Sequence, residues 1–147
     1  MPNRSAPPGS VVAVLQYADV VAATDWLCRA FGFRIRLRIG THRAQLVHDG
    51  GALVIHELRS VAGAAPPDGE PRSDDRHEVM LRVDDVDAHV ARATAAGARL
   101  VLPPRDHAFG ERQAVLLDVA GHRWTLTQSI ADVDPASWGA ADIDLEP

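Results

Sequence analysis

Apolar and polar residues recur along this chain in an order that appears twice. Val11 to Tyr17 (VVAVLQY) is an apolar, β-branched run of the kind a largely buried strand needs. Asp19 follows at an N-cap position, where a carboxylate accepts an early helix N–H. The stretch VVAATDWLCRAF then sets Ala23, Trp26, Leu27, Ala30 and Phe31 on one stripe at helical spacing. Gly32 stands where helices commonly end in a left-handed residue. Phe33 to Ile39 (FRIRLRI) alternates bulk and charge with the period of a half-exposed strand. A turn at Gly40-Thr41 leads into AQLVH, and Asp49-Gly50-Gly51 predicts a hairpin turn into ALVIHEL.

The second half repeats this order. Glu78 to Val83 (EVMLRV) reads as a strand and Asp85 as a cap. VDAHVARATAA carries Val86, Val90 and Ala93 on one face, and Gly97 closes the helix. RLVL is the next strand. After a loop through His107 and Gly110, RQAVLLD and HRWTLTQ form a last hairpin around Ala120-Gly121. A shift of 66 residues carries Val12 onto Glu78, Gln16 onto Arg82 and Asp19 onto Asp85. The chain is therefore an internal duplication of β-α-β-β-β, visible in element order and turn residues rather than in identity between the halves. Residues 1–10 are expected to be a flexible N-terminus, residues 11–59 the first module and 77–130 the second. Ser60 to Arg76, rich in proline, glycine and charge, reads as an exposed linker. Residues 131–147 form an acidic tail without periodicity, in which Trp138 is a large apolar residue expected to dock on this domain or on a partner.

Composition changes this picture little. One domain fits 147 residues, and 46% hydrophobic residues can bury a core. A formal net charge of -5 argues against nucleic acid as a partner, because phosphate binding needs a basic face. All 15 basic residues are arginine, which reads as coding from a GC-rich, expectedly bacterial genome rather than as functional choice. The single cysteine, Cys28, cannot close an internal disulfide and reads as a buried structural thiol. Neither a signal-peptide run nor a stretch near the roughly 20 apolar residues of a membrane span is present, so no membrane and a cytoplasmic location are expected.

The modules HEVMLRVDDVDAHVARATAAGARLV and FGERQAVLLDVAGHRWTLTQ, with LQYADVVAATDWLCRAFGF in the first half, resemble the vicinal oxygen chelate superfamily, the glyoxalase and bleomycin-resistance fold, over roughly residues 11 to 130. The resemblance implies an α+β fold in which two βαβββ modules form a curled mixed sheet around a cavity, with helices outside. It also implies a homodimer. Alternate strand residues then face the cavity: Glu78, Met80 and Arg82 in the second half, and Val12, Val14 and Gln16 in the first. Val79, Leu81 and Val83 face the helices.

Metal-using members of that superfamily place His, Gln or Glu ligands on the first and last strands of the modules. A divalent ion with open positions acts there as a Lewis acid. Carried onto this chain, the first-strand positions are Val12 and Glu78. The last-strand positions are Thr125 and, in the first half, the neighbourhood of Ile55. Only Glu78 is a strong ligand type, so the expected site holds no metal and no cofactor. The alternative is a one-residue slip that brings His56 and His77 forward and admits zinc, nickel, iron or manganese. Such a slip turns a side chain to the opposite face and needs a bulge.

The remaining candidates carry two readings each. Glu78 is either a cavity acid or base or a structural ion pair with Arg82 or Arg112. Arg112 either binds an anionic ligand group through its fork of donors or bonds to backbone at a strand entrance. Gln16 and Thr125 are cavity hydrogen-bonders or satisfied core polar groups. Trp26 and Trp124 are expected between helix and sheet. Among the histidines, His89 is expected on a solvated helix face, His42, His48 and His107 in turns, and His122 as a turn stabiliser. The function expected is small-molecule binding without metal, as in antibiotic or metabolite sequestration, through Val14, Gln16, Ile55, Met80, Arg82, Arg112, Thr125 and Trp138. The alternatives are a metal-independent enzyme using Glu78, a metal-dependent lyase, isomerase or dioxygenase, and a dimer whose cavity is filled by its own side chains.

Overall fold

A computed structural model describes residues 3–58 and 77–145. The predicted linker therefore lies outside the described residues. The two modules are β1 (Ala13–Tyr17), α1 (Val20–Phe31), β2 (Arg34–Ile39), β3 (Arg43–His48) and β4 (Gly51–Glu57), then β5 (Val79–Arg82), α2 (Val86–Ala95), β6 (Arg99–Asp106), β7 (Glu111–Leu117) and β8 (Arg123–Ser129). Each forms its own four-stranded sheet, ordered β1-β4-β3-β2 and β5-β8-β7-β6. In both, the first strand runs parallel to the last and the other pairs are antiparallel. The α+β duplication predicted from the sequence is the observed architecture.

The caps act as the residue types require. Asp19 accepts a hydrogen bond from the Ala22 N–H at 2.9 Å, and Asp85 accepts one from Ala88 at 3.0 Å. Gly32 ends α1 at φ 76, in the left-handed region that favours glycine. β6 runs further than RLVL predicted, through Pro103 and Pro104 to Asp106. It can do so because it is an edge strand, pairing only with β7, and its register breaks between Leu102 and Arg105.

The core joins the modules. α1 buries Trp26, Leu27, Ala30 and Phe31, and α2 buries Val86, Val90 and Ala93. The two helices are tied by the Trp26 indole N–H donating to the Ala96 carbonyl at 2.7 Å and by Arg92 Nε donating to the Ala30 carbonyl at 3.2 Å. Phe31 lies 4.7 Å from Trp124, ring centre to ring centre, so module one's helix packs on module two's last strand. Trp124 is fully buried, and truncating such a residue costs about 3–5 kcal/mol.

The sheet face away from the helices is set by register. One rung in module one is Val14, Val54, Gln45 and Leu37, and its equivalent in module two is Met80, Thr125, Val115 and Leu102. The next rung is Gln16, His56, Arg43 and Ile39. Leu53 and Ile55, like Trp124 and Leu126, belong to the core.

The tail beyond β8 is anchored at Gly110. Ile130 and Ala131 both donate to the Gly110 carbonyl, at 2.9 and 3.2 Å. A Cβ on Gly110 would collide with the Ala131 carbonyl oxygen, and its φ of 88 also disfavours ordinary side chains. The tail then forms a short 3-10 helix, Pro135–Trp138, whose Trp138 ring packs edge-on against Phe109 at 5.7 Å.

Candidate functional site

A cavity of about 870 Å3 opens between the modules. Both faces of β1 reach it because β1 is the outer strand of its sheet. Its apolar wall includes Leu15, Ala22, Trp26, Val79 and Val119, and its polar groups include Gln16, Arg29, His77, Glu78 and Arg123. Its lining thus combines an apolar wall with a few polar and charged groups, the composition common to small-molecule pockets.

Tyr17 and the β7–β8 turn form one side of this cavity. The Tyr17 hydroxyl donates to Asp118 Oδ2 at 2.6 Å, and the Trp124 indole N–H donates to the same oxygen at 3.0 Å. Asp118 Oδ1 accepts from the backbone N–H groups of Ala120 and His122 at 2.9 and 3.0 Å. A buried carboxylate is thus supplied with four donors. The His122 ring lies 4.7 Å from Tyr17, and its Nε2 is 2.7 Å from the Gln16 carbonyl. Burial, then the adjacent Asp118 charge, pushes the Tyr17 hydroxyl far above the usual phenol range.

Glu78 sits just before β5. Its Oε2 accepts from Thr125 Oγ1 at 3.0 Å and from Arg123 Nε at 3.1 Å. The ion-pair partner is therefore Arg123, not Arg82 or Arg112. The cause is alternation: Arg123 and Thr125 share a face of β8, and the parallel register that pairs Val79 with Trp124 brings Glu78 level with Arg123. Arg82 turns instead to Ser129 and Glu111, at 2.6 and 3.1 Å. Arg112 points to side chains rather than to strand-entrance backbone: Nε and Nη2 meet Asp87 at 2.7 and 3.0 Å and Nη1 meets Asp106 at 2.8 Å.

Of the sequence-predicted site residues, Val14, Gln16 and Glu78 line the cavity. Thr125 reaches it through its bond to Glu78, and Met80 is exposed on the sheet face beside Thr125. Arg82, Arg112 and Trp138 lie outside its lining. Ile55 is a correction. It pairs with Leu15 and is fully buried in the core, so the first-half counterpart of Thr125 is Val54. His56 consequently faces away from the helices, but one rung along, level with Gln16 rather than Val14. His77 borders the cavity next to Glu78. His89 is half-buried rather than solvated. Burial lowers its pKa first, with the Asp85 carbonyl at 3.0 Å acting the other way. Cys28 is half-buried against the core, and its thiol is pushed up by burial and then by Asp25.

The four positions that the resemblance implied for metal ligands, with the first-half last-strand one moved from Ile55 to Val54, are Val12, Val54, Glu78 and Thr125. Two aliphatic side chains, a hydroxyl and one carboxylate already bonded to Arg123 do not make a divalent-ion site. Among the described residues, no group of three His, Cys, Asp or Glu side chains gathers closely enough to hold a metal ion. No helix among them is long and apolar enough to cross a membrane.

This two-module fold with its inter-module cavity is that of the Glyoxalase/Bleomycin resistance protein/Dioxygenase superfamily. The family's model matches residues 10–126, and the chain belongs to it. It is similar to TioX from Micromonospora sp. ML1, with 38% identity, a TM-score of 0.65, and coverage of 82% of this chain and 99% of that one. The fold is also that of a fosfomycin resistance protein, FosX, from Listeria monocytogenes, at 17% identity and a TM-score of 0.63, covering 84% of this chain and 95% of that one. An uncharacterised protein of Mycobacterium bovis is 41% identical over 56 residues, which are 38% of this chain and 37% of that protein. The matched stretch thus spans about a third of that relative's length.

Proposed function

We propose that this chain binds a small organic molecule in the cavity between β1, α1 and the β7–β8 turn, using protein groups without a resident metal, as a sequestering protein for an antibiotic or metabolite. The observation that carries this is the cavity itself. It is large enough for a drug-sized ligand, walled by Leu15, Trp26 and Val79, and bordered by a few charged groups, Arg29, Glu78 and Arg123. The donor set described above supports the absence of metal from the reading. A homodimer is part of the proposal. Val14, Met80 and Leu102 expose large apolar side chains, and β1 and β5 each leave one edge outside the sheets; a second copy would cover such surface.

A second reading is a metal-independent enzyme in which Glu78 takes or gives a proton. It is favoured by one fact: the carboxylate borders the cavity and is oriented by both Arg123 and Thr125.

The test is fluorescence titration with 8-anilinonaphthalene-1-sulfonate, a flat apolar probe with one anionic end. Saturable binding is expected for the wild type, and Ala22→Trp, which fills the cavity from an exposed position on α1, should remove it without unfolding the chain. Equal binding by the two proteins would contradict the assignment.

A further inference from the structure

The face of α1 turned to the inter-module cavity carries a single charged side chain. Ala22, Trp26 and Arg29 recur at helical spacing, and all three line the cavity. The other charged residue of α1, Asp25, lies outside the lining and pairs with Arg38 at 3.0 Å. Arg29 stands in the last turn of the helix. At about 1.5 Å per residue it lies about 15 Å along the axis from Asp19, the acidic group at the other end.

The remaining charged groups at the cavity border are committed. The Asp19 carboxylate accepts from the Ala22 N–H and sits at the positive end of the helix dipole. Glu78 and Arg123 answer each other at 3.1 Å and are neutral as a pair. The polar groups of the opposite wall are held as well. The Tyr17 hydroxyl donates to Asp118, and His122 Nε2 lies 2.7 Å from the Gln16 carbonyl. Arg29 differs from all of these: its side chain forms no hydrogen bond or ion pair with another described residue. The uncompensated charge of the cavity is therefore a guanidinium.

A guanidinium keeps its charge at any ordinary pH and presents a planar fork of N–H donors. That fork matches a two-oxygen anion through two parallel hydrogen bonds. Beside it, Leu15, Trp26 and Val79 offer an apolar wall to the rest of a ligand.

We infer that the cavity is selective for organic acids, with Arg29 reading the carboxylate and the apolar wall seating the ligand's body. The inference rests on the inter-module cavity being the ligand site. Neutral molecules of the same shape forgo the Arg29 contact and bind more weakly.

The experiment compares 2-naphthoate with its neutral isostere 2-naphthamide on the full chain, by isothermal titration calorimetry. The wild type should bind the acid about tenfold more tightly than the amide. Arg29→Gln changes an exposed helix position and should leave urea unfolding unaltered. It should weaken naphthoate to the level of naphthamide and leave naphthamide where it was. Ala22→Trp should remove the binding of both. Equal wild-type affinities for acid and amide would overturn the inference, as would a preference for the acid that survives Arg29→Gln. In either case the cavity would still stand as the ligand site, provided that Ala22→Trp removes both compounds. Binding of neither compound to the wild type, or binding indifferent to Ala22→Trp, would overturn the cavity reading and the inference together.

Discussion

Tyr17 and Asp118, separated by 101 positions, meet through a 2.6 Å hydrogen bond that closes one module on the other. Tyr17 ends the first strand of module one, and Asp118 organises the last turn of module two. Both are buried. Tyr17→Phe keeps the ring and removes one of four donors from a buried carboxylate. The expected loss is about 1–3 kcal/mol, read by urea unfolding at neutral pH.

The same contact predicts an alkaline effect. Burial and Asp118 raise the phenol's pKa in the folded state. A raised value means the contribution is complete below the ordinary phenol value of 10.0 and declines as pH rises past it. The stability gap between wild type and Tyr17→Phe should therefore narrow above pH 10. Parallel stability curves would show that the phenol is not held this way.

Thr24 on α1 is 1% exposed, and its hydroxyl is the one buried side-chain polar atom among the described residues with no partner. Thr24→Val removes an unsatisfied group at constant shape and branching. The variant should be as stable as the wild type or up to about 2 kcal/mol more stable. Destabilisation beyond about 1 kcal/mol would reveal a partner for the hydroxyl.

Arg112 holds the Asp87 carboxyl below the usual carboxylate range, chiefly by its hydrogen bonds. A lowered folded-state value gives a contribution present above the ordinary aspartate range and lost as pH falls through the folded value. Because the pair is exposed to solvent, the sharper readout is NMR titration of Asp87. Its midpoint should rise toward that of an ordinary aspartate in Arg112→Gln. An unchanged midpoint would remove Arg112 as the cause.

Much of this fold was legible because its signals are local. Asp19, Gly32 and Asp85 mark helix ends by chemistry that needs no tertiary partner, and the shift of 66 residues exposed the duplication. What stayed hidden depends on pairing. Spacing across two hairpins does not fix register: it points to the neighbourhood of Ile55 for the last-strand position in module one, whereas pairing with β1 puts Val54 there. Arg123 as the partner of Glu78 was open to alternation along β8, which puts it on the face of Thr125. The cavity's α1 wall was not, since Ala22, Trp26 and Arg29 come to line it through the docking of one module on the other, in which Trp26 donates to the Ala96 carbonyl. The anchoring of residues 4 and 5 by Arg36 and Gln45 likewise has no sequence signal, because the contacts are to their carbonyls.

Glu78 should matter more to ligand charge than to folding. Its pair with Arg123 is partly exposed, with side-chain exposures of 43% and 27%, so Glu78→Gln should cost under about 1 kcal/mol of stability. The same change removes a negative charge from the cavity and should strengthen binding of the anionic naphthalene sulfonate probe. Weaker binding would place the probe's sulfonate away from Glu78.

The inter-module cavity is proposed to bind its ligand with protein groups alone. The most direct measurement is the probe titration repeated before and after exhaustive chelation, with metal counted by elemental mass spectrometry in the same samples. Unchanged saturable binding is expected, with no metal near one equivalent per chain. Removal of near-stoichiometric zinc, nickel, iron or manganese, with loss of binding, would contradict it.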